Sequence, residues 1–212
     1  METVYTYSHL GGEEILMVRY PDLNDEINDI ITSIRNPGRN KVSKEKTMVG
    51  KRLYSPGEIN RLFKEAFGEK EWYELKDYFD IELPNYPHTI KNAYKQCDFF
   101  KGDVLIEVQF GKYAFMFYDL AKFQYFFNMG KIKLGVEIVP CHLLHKQMST
   151  GVSYGEQLVY DLERLSKNFP SVPVKIILID VPIESDDYNE EERIEILNVR
   201  KEIEKMLLSC KR

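Results

Sequence analysis

The chain has 212 residues, of which 43% are hydrophobic, 13% aromatic and 30% charged, and its 14 Tyr and 12 Phe exclude a mostly disordered chain. At that length folding buries roughly 70–75% of the unfolded surface, and one domain spanning 1–212 with appendages is expected. The net charge of −5 hides a division: nine acids against three bases between Glu184 and Glu204 give that segment −6, so the remainder is +1.

In chain order, METVYTYSHLGGEE has neither a basic n-region nor an apolar core of signal-peptide length. Residues 22–35 space Leu23, Ile27, Ile30, Ile31 and Ile34 at helical steps and predict an amphipathic helix ended by Asn36-Pro37-Gly38. Arg35 to Arg52 then carries seven bases against one acid, Glu45, a local patch able to hold a polyanion on an acidic molecule. Read by itself, such a run is equally a solvated loop.

Ser55-Pro56-Gly57-Glu58 is a capping-box helix start, and the helix it opens buries Ile59, Leu62, Phe63 and Phe67 and stops at Gly68. Residues 70–95 give no clear pattern. From residue 103 a strand (VLIEVQF), an aromatic helix over 113–128, a strand near 133–139, a helix near 155–168, a strand at 174–181 and a charged helix near 189–208 alternate. Such alternation predicts an α/β core with a mixed or parallel sheet covered by helices. IILI at 176–179 is far too short to span a bilayer. Cys97, Cys141 and Cys210 are odd in number, far apart and without a CxxC, so a reduced, cytoplasmic protein is expected. Cys141, His142 and His145 lack the partner pair of a zinc site, and no GK[ST] phosphate loop occurs.

The strand at 104–110 is the anomaly. Alternation sends Val104, Ile106, Val108 and Phe110 to one face and Leu105, Glu107 and Gln109 to the other. Adjacent polar groups on one face require hydrogen bonds, a ligand or water, because an unpaired buried carboxylate is costly. A hairpin through Phe99-Phe100-Lys101-Gly102 brings Asp98 beside Glu107. Two carboxylates suit Mg²⁺, which takes one or two of them with waters and phosphate oxygens. An edge strand with Glu107 and Gln109 in water satisfies the same spacing.

The pattern of Asp98 followed by Glu107-Val108-Gln109 resembles the PD-(D/E)XK nuclease site in the variant used by type II restriction endonucleases of the BglII/BstYI group, where Gln replaces the usual Lys. Ile106-Glu107-Val108-Gln109-Phe110-Gly111-Lys112-Tyr113 carries the resemblance most specifically. It extends to Tyr7-Ser8-His9-Leu10, Ser43-Lys44-Glu45-Lys46-Thr47, Leu53-Tyr54-Ser55-Pro56, Gly135-Val136-Glu137-Ile138 and Met148 to Tyr154. It covers most of residues 1–180 and leaves out the acidic helix expected at 184–212.

The resemblance implies a restriction-endonuclease-like core, a central mixed β-sheet flanked by helices. It implies Mg²⁺-dependent hydrolysis of one phosphodiester per strand in a palindrome with a GATC core. Asp98, Glu107 and the Val108 carbonyl are expected to hold the metal, and Gln109 to orient the water without titrating. Lys112 at the mouth of the site is expected to read a guanine edge, with Ser149, Thr150 and Ser153 as further base-reading groups. The segment 39–52, through Lys44 and Lys46, is the expected DNA-backbone arm. Glu65 is a further candidate near the metal. A palindrome implies a homodimer and a cognate DNA methyltransferase as functional partner. The surplus apolar surface of the aromatic helix 113–128 fits a place at the subunit interface and equally a fully buried core helix. Two other readings remain at this point: a repair or recombination nuclease of the same superfold, and a catalytically inactive DNA-binding protein.

Overall fold

The computed structural model describes residues 1–35, 37–165, 168–182 and, between 190 and 202, all but 192, 195 and 200. Asn36, Glu184, Asp186, Asp187, Glu192, Glu195, Arg200, Glu204 and Cys210 lie outside the described residues. The expected C-terminal helix is therefore described only in part: 190, 191, 193, 194, 196–199, 201 and 202 are helical, and Ile196 is buried.

The chain runs β1 (Glu2–His9), α1 (Gly12–Arg19), α2 (Pro21–Ser33), β2 (Lys41–Val42), β3 (Arg52–Leu53), α3 (Pro56–Glu69), β4 (Tyr73–Ile81), β5 (Ile90–Lys101), β6 (Val104–Val108), α4 (Tyr113–Asn128), β7 (Leu134–Pro140), α5 (His142–His145), α6 (Gly155–Leu165) and β8 (Val174–Asp180). Helix α3 starts as the sequence predicts: Ser55 caps it, its Oγ accepting the Glu58 N–H at 3.4 Å, and Pro56 opens the first turn. Ile59, Phe63 and Phe67 recur on its apolar stripe and are fully buried. On α2 the same periodicity buries Ile27, Ile30 and Ile31.

Six strands make one mixed sheet in the order β1-β8-β7-β6-β5-β4. The three central strands, β6, β7 and β8, are parallel and joined by helical crossovers, while β1, β5 and β4 add antiparallel. Every residue of β6, β7 and β8 is buried, as strands covered on both faces require. Glu107 therefore sits in a central strand, and the alternative of an edge strand with this carboxylate in water does not hold. Helices α4 and α6 cover one face, Phe123 lying over Gly135 and Val139 and Leu178 closing on Gly155. Helix α3 lies on the other, stacking Phe67 on Phe99 with ring centroids 4.3 Å apart.

The unread stretch at 70–95 holds most of the β4–β5 hairpin. Along β4, half-buried Leu75, Asp77, Phe79 and Ile81 alternate with exposed residues, but Asp77 on the half-buried face and Tyr78 on the exposed one mask that alternation in the sequence. Strand β1 and helix α1 were likewise not expected from the sequence.

Gly12 is the glycine whose backbone lies tightest against a neighbouring strand. A Cβ added there would lie 2.3 Å from the Val174 carbonyl carbon of β8, a contact that only a backbone shift relieves. Gly12→Ala is expected to cost about 3 kcal/mol or more, lowering the thermal midpoint by roughly 6–12 °C in a melting curve. A midpoint within a degree of wild type would show that α1 packs more loosely than this.

Candidate active site and nucleic-acid interface

The β5–β6 ladder pairs Phe99 with Ile106, Phe100 with Leu105 and Lys101 with Val104, so Asp98 falls next to Glu107 at its open end. Against β4, however, β5 advances from Cys97 to Phe100 while its partner moves only from Leu75 to Tyr73. The surplus residue bulges from β5 at Asp98–Phe99, and bulges re-aim side chains beside active sites. The bulge sets Asp98 on the wall of an open pocket of about 130 Å³, with Asn60 and Lys64 of α3, Glu74, Phe99 and Val108. One Asp98 oxygen lies 3.4 Å from the Val108 N–H.

Glu107 is drawn the other way, towards α4. Its side chain is 3% exposed, and Lys122 Nζ lies 2.5 Å from its Oε1 and 2.7 Å from Asp119 Oδ1. Asp119 in turn accepts a 2.6 Å hydrogen bond from Gln109 Nε2, while Gln109 Oε1 accepts the Gly111 N–H at 2.9 Å. Gly111 is required for that second bond, since a Cβ there would stand 2.5 Å from the same Oε1. Gln109 is thus held at both ends of its amide. Glu137 of β7 sits directly across from Glu107, fully buried, with neither carboxyl oxygen hydrogen-bonded.

Glu107 and Asp119 therefore share the Lys122 ammonium, and Asp98 and Glu137 add their charge close to Glu107. Burial first, then the charges of Asp98 and Asp119, push the Glu107 carboxyl well above its ordinary range. Burial likewise raises Asp119, and burial with the neighbouring carboxylates raises Glu137. Burial would depress Lys122, but Glu107 and Asp119 outweigh it and hold the ammonium above its usual value. This surplus of negative charge, already satisfied in part by a cation on Glu107, fits a divalent metal at the lip of the sheet. No group of three or more His, Cys, Asp or Glu among the described residues forms a ready-made cage. The arrangement suits Mg²⁺, which needs only one or two carboxylates, better than an all-protein calcium site.

The expected recognition elements meet on one surface. The basic segment forms the small β2–β3 hairpin, closed by the Ser43 N–H to Lys51 O and Gly50 N–H to Ser43 O bonds, both 2.9 Å. Lys44 and Lys46 are exposed on its turn. The hairpin is tied to the 147–153 loop: Arg39 donates to Gln147 Oε1 at 2.5 Å, Lys41 Nζ to Ser149 Oγ, and the Thr150 N–H to Glu45 Oε2 at 3.2 Å. That loop reaches the end of the central strand through the Ser153 N–H, 2.9 Å from Gly111 O. Lys112 is exposed at the N-cap of α4 beside it. Thr150 is exposed and Ser149 half-buried, whereas Ser153 is buried, which places its hydroxyl inside the loop.

Glu65 does not approach the site; it is exposed and paired with Arg61 at 2.5 Å. The α3 residues at the pocket are instead Asn60 and Lys64. Asp119, Lys122 and Glu137 also escaped the sequence reading, although each left a trace. Asp119 and Lys122 are charges three apart in an aromatic helix, and Glu137 breaks an apolar strand in the way Glu107 does. A larger cavity of about 540 Å³, walled by Tyr5, Leu143, Val159 and Leu178 among others, contains none of the four carboxylates.

The acidic cluster thus lies near the end of β6, and the basic hairpin is tied through the 147–153 loop to Gly111, just beyond that strand. The restriction endonuclease BglII/BglIII family matches residues 4–179, and the chain belongs to that family. Its class is accordingly that of the type II site-specific deoxyribonucleases. The type II restriction enzyme BglII of Bacillus subtilis is 26% identical over 187 residues, 85% of this chain and 76% of that protein. The crystal structure of BglII complexed with a DNA 16-mer matches with a TM-score of 0.66 at 22% identity, covering 85% of this chain and 78% of that one. Free BglII matches with a TM-score of 0.58 at 20% identity, covering 85% and 81%. At these identities the structural likeness speaks for the fold.

Proposed function

We propose that the chain is a Mg²⁺-dependent endonuclease that cuts both strands of a palindromic duplex with a GATC core. The observation that carries this reading is the pair of carboxylates at the end of the β5–β6 ladder, Asp98 on the wall of an open pocket and Glu107 beside it in a buried cluster where carboxylates outnumber ammonium groups. Asp98 and Glu107 would hold the metal, with the Val108 carbonyl beside them. When bound, Mg²⁺ supplies Lewis-acid polarisation of the phosphoryl group and a water of lowered pKa. Gln109, fixed between Asp119 and Gly111, presents its remaining N–H and lone pair as neutral hydrogen-bonding groups and moves no proton itself. Lys64, on the pocket wall with Asp98, supplies positive charge near an incoming phosphate.

Lys112, Ser149 and Thr150 are placed to meet base edges, and Lys44 and Lys46 to meet the phosphate backbone. A palindrome calls for a two-fold dimer, which is supported by Phe115 and Tyr118 on α4, 52% and 48% exposed in the single chain. A matching DNA methyltransferase in the same cytoplasm completes the reading, and no helix among the described residues is long and apolar enough to cross a membrane.

The test is digestion of a plasmid of known sequence with Mg²⁺ and mapping of the ends. A fixed ladder, with every cut inside a GATC-containing palindrome, is the expected result. Cuts placed by branch or flap structure instead would make this a repair nuclease. Binding without cleavage at any Mg²⁺ level would make it a DNA-binding protein.

A further inference from the structure

Gln109 stands where the wider nuclease pattern has a lysine, so the strand itself brings no positive charge to the site. The geometry points to Lys122 of α4 as the cation that acts on that strand, a positioning residue that fixes Glu107 for the metal and, through Asp119, fixes Gln109, while Lys64 faces the pocket. This assignment rests on the metal-dependent reading above and names a residue of that same site.

Three observations support it. First, the Lys122 side chain is 10% exposed and its ammonium lies 2.5 Å from Glu107 Oε1 and 2.7 Å from Asp119 Oδ1. Burying an ammonium so thoroughly is tolerated only where it is paired. Second, Asp119 carries the linkage onward, its other oxygen 2.6 Å from Gln109 Nε2. One turn of α4 thus grips Glu107 of β6 and Gln109 just beyond its end: Lys122 the carboxylate, Asp119 the amide. Third, the Tyr118 ring lies 5.6 Å from the ammonium, within cation–π range, and adds to the contacts that hold Lys122 in place.

The arrangement also makes Lys122 a competitor. An ammonium on Glu107 neutralises part of the charge that a divalent cation would meet. It therefore weakens cation binding while keeping the carboxylate in one place. Those two effects have opposite signs, and that separates the proposed role from a structural one. A residue that only holds the fold together would, when replaced, lower affinity and turnover together or change neither.

The experiment measures Mn²⁺ uptake by the full chain from the free-ion electron paramagnetic resonance signal, alongside Mg²⁺-dependent plasmid cleavage. For Lys122→Met, of similar length and no charge, Mn²⁺ affinity is expected to rise about tenfold, a loss of one like charge. Turnover is expected to fall about 10–100-fold as Glu107 loses its anchor. Lys122→Arg should keep most of the cleavage.

Should Lys122→Met fail to fold, Lys122→Gln gives the same reading, since it also removes the ammonium while leaving every carboxylate in place. Mn²⁺ affinity must again rise. Unchanged or weaker Mn²⁺ binding in whichever of the two variants folds overturns the assignment. A wild-type chain that takes up no Mn²⁺ and cuts no DNA overturns the nuclease reading itself. If wild type binds and cuts, and Lys122→Met does both equally well, only the role of Lys122 is lost.

Discussion

Glu107→Ala is expected to bind duplex DNA with wild-type affinity in a gel shift and to lose at least about a thousandfold in cleavage rate. The separation follows from where the carboxylate lies. It is nearly buried at the end of β6, facing α4, whereas the exposed bases are on the β2–β3 hairpin and at the α4 N-cap. Removing it takes away a proposed metal ligand without touching a group that reaches the duplex surface. The fold should tolerate the loss, because the carboxylate stands among three others and only one ammonium offsets them. Lys122 retains Asp119 as a partner at 2.7 Å. Glu107→Gln, which keeps the side-chain volume, is the companion variant and should behave alike. Normal Mg²⁺-dependent nicking by either would remove Glu107 from the reaction.

The second large effect is on stability against pH. Glu107, Asp119 and Glu137 all have carboxyl groups raised above their unfolded values, so the native state binds their protons more tightly than the unfolded chain does. Their stabilising contribution is complete below the unfolded carboxyl range near pH 4.5 and is lost as pH climbs through the raised native values. Other carboxylates act in the opposite sense: Asp77 is held low by its hydrogen bonds to Lys131 and Tyr125. The cluster's share is therefore read as a difference between variants.

Glu137 is the cleanest probe because it is fully buried and unbonded. Glu137→Gln removes an ionisable group from an apolar strand and is expected to gain about 2 kcal/mol at pH 8. In a chain of this size that is roughly 4–8 °C in thermal midpoint. The gain should shrink steadily towards pH 5. An equal midpoint difference at both pH values, or a loss at pH 8, would mean that Glu137 has a charge partner in solution.

Much of this was readable before the chain was folded. The Ser55 cap, the isoleucine steps of α2 and the strand–helix alternation after residue 103 are local or periodic, and burial acts on them one element at a time. Glu107 and Gln109 were visible for the same reason, as polar residues in a strand that otherwise needs none. Their resemblance to one nuclease group named the class. The β4–β5 hairpin was not visible, because Asp77 lies on the half-buried face of β4 and Tyr78 on the exposed one, which blurs the alternation. Glu65 was chosen from α3 where Asn60 and Lys64 reach the pocket. Helical spacing shows which residues share a face, but only the packing of α3 on the sheet shows which face meets Asp98.

What the amino-acid sequence determined by itself was the helices α2 and α3, the strand–helix alternation after residue 103, the polar pair Glu107 and Gln109 in an otherwise apolar strand and the separation of a basic arm from an acidic tail. The tertiary structure decided which charges meet. The bulge that moves Asp98 onto the pocket wall depends on β4 pairing with β5, and the Lys122 pair depends on α4 crossing β6. Both are contacts between distant or separately formed segments. Hydrophobic period places each segment against the core, yet it leaves open which polar group is set beside which, and a buried charge is governed by that neighbour.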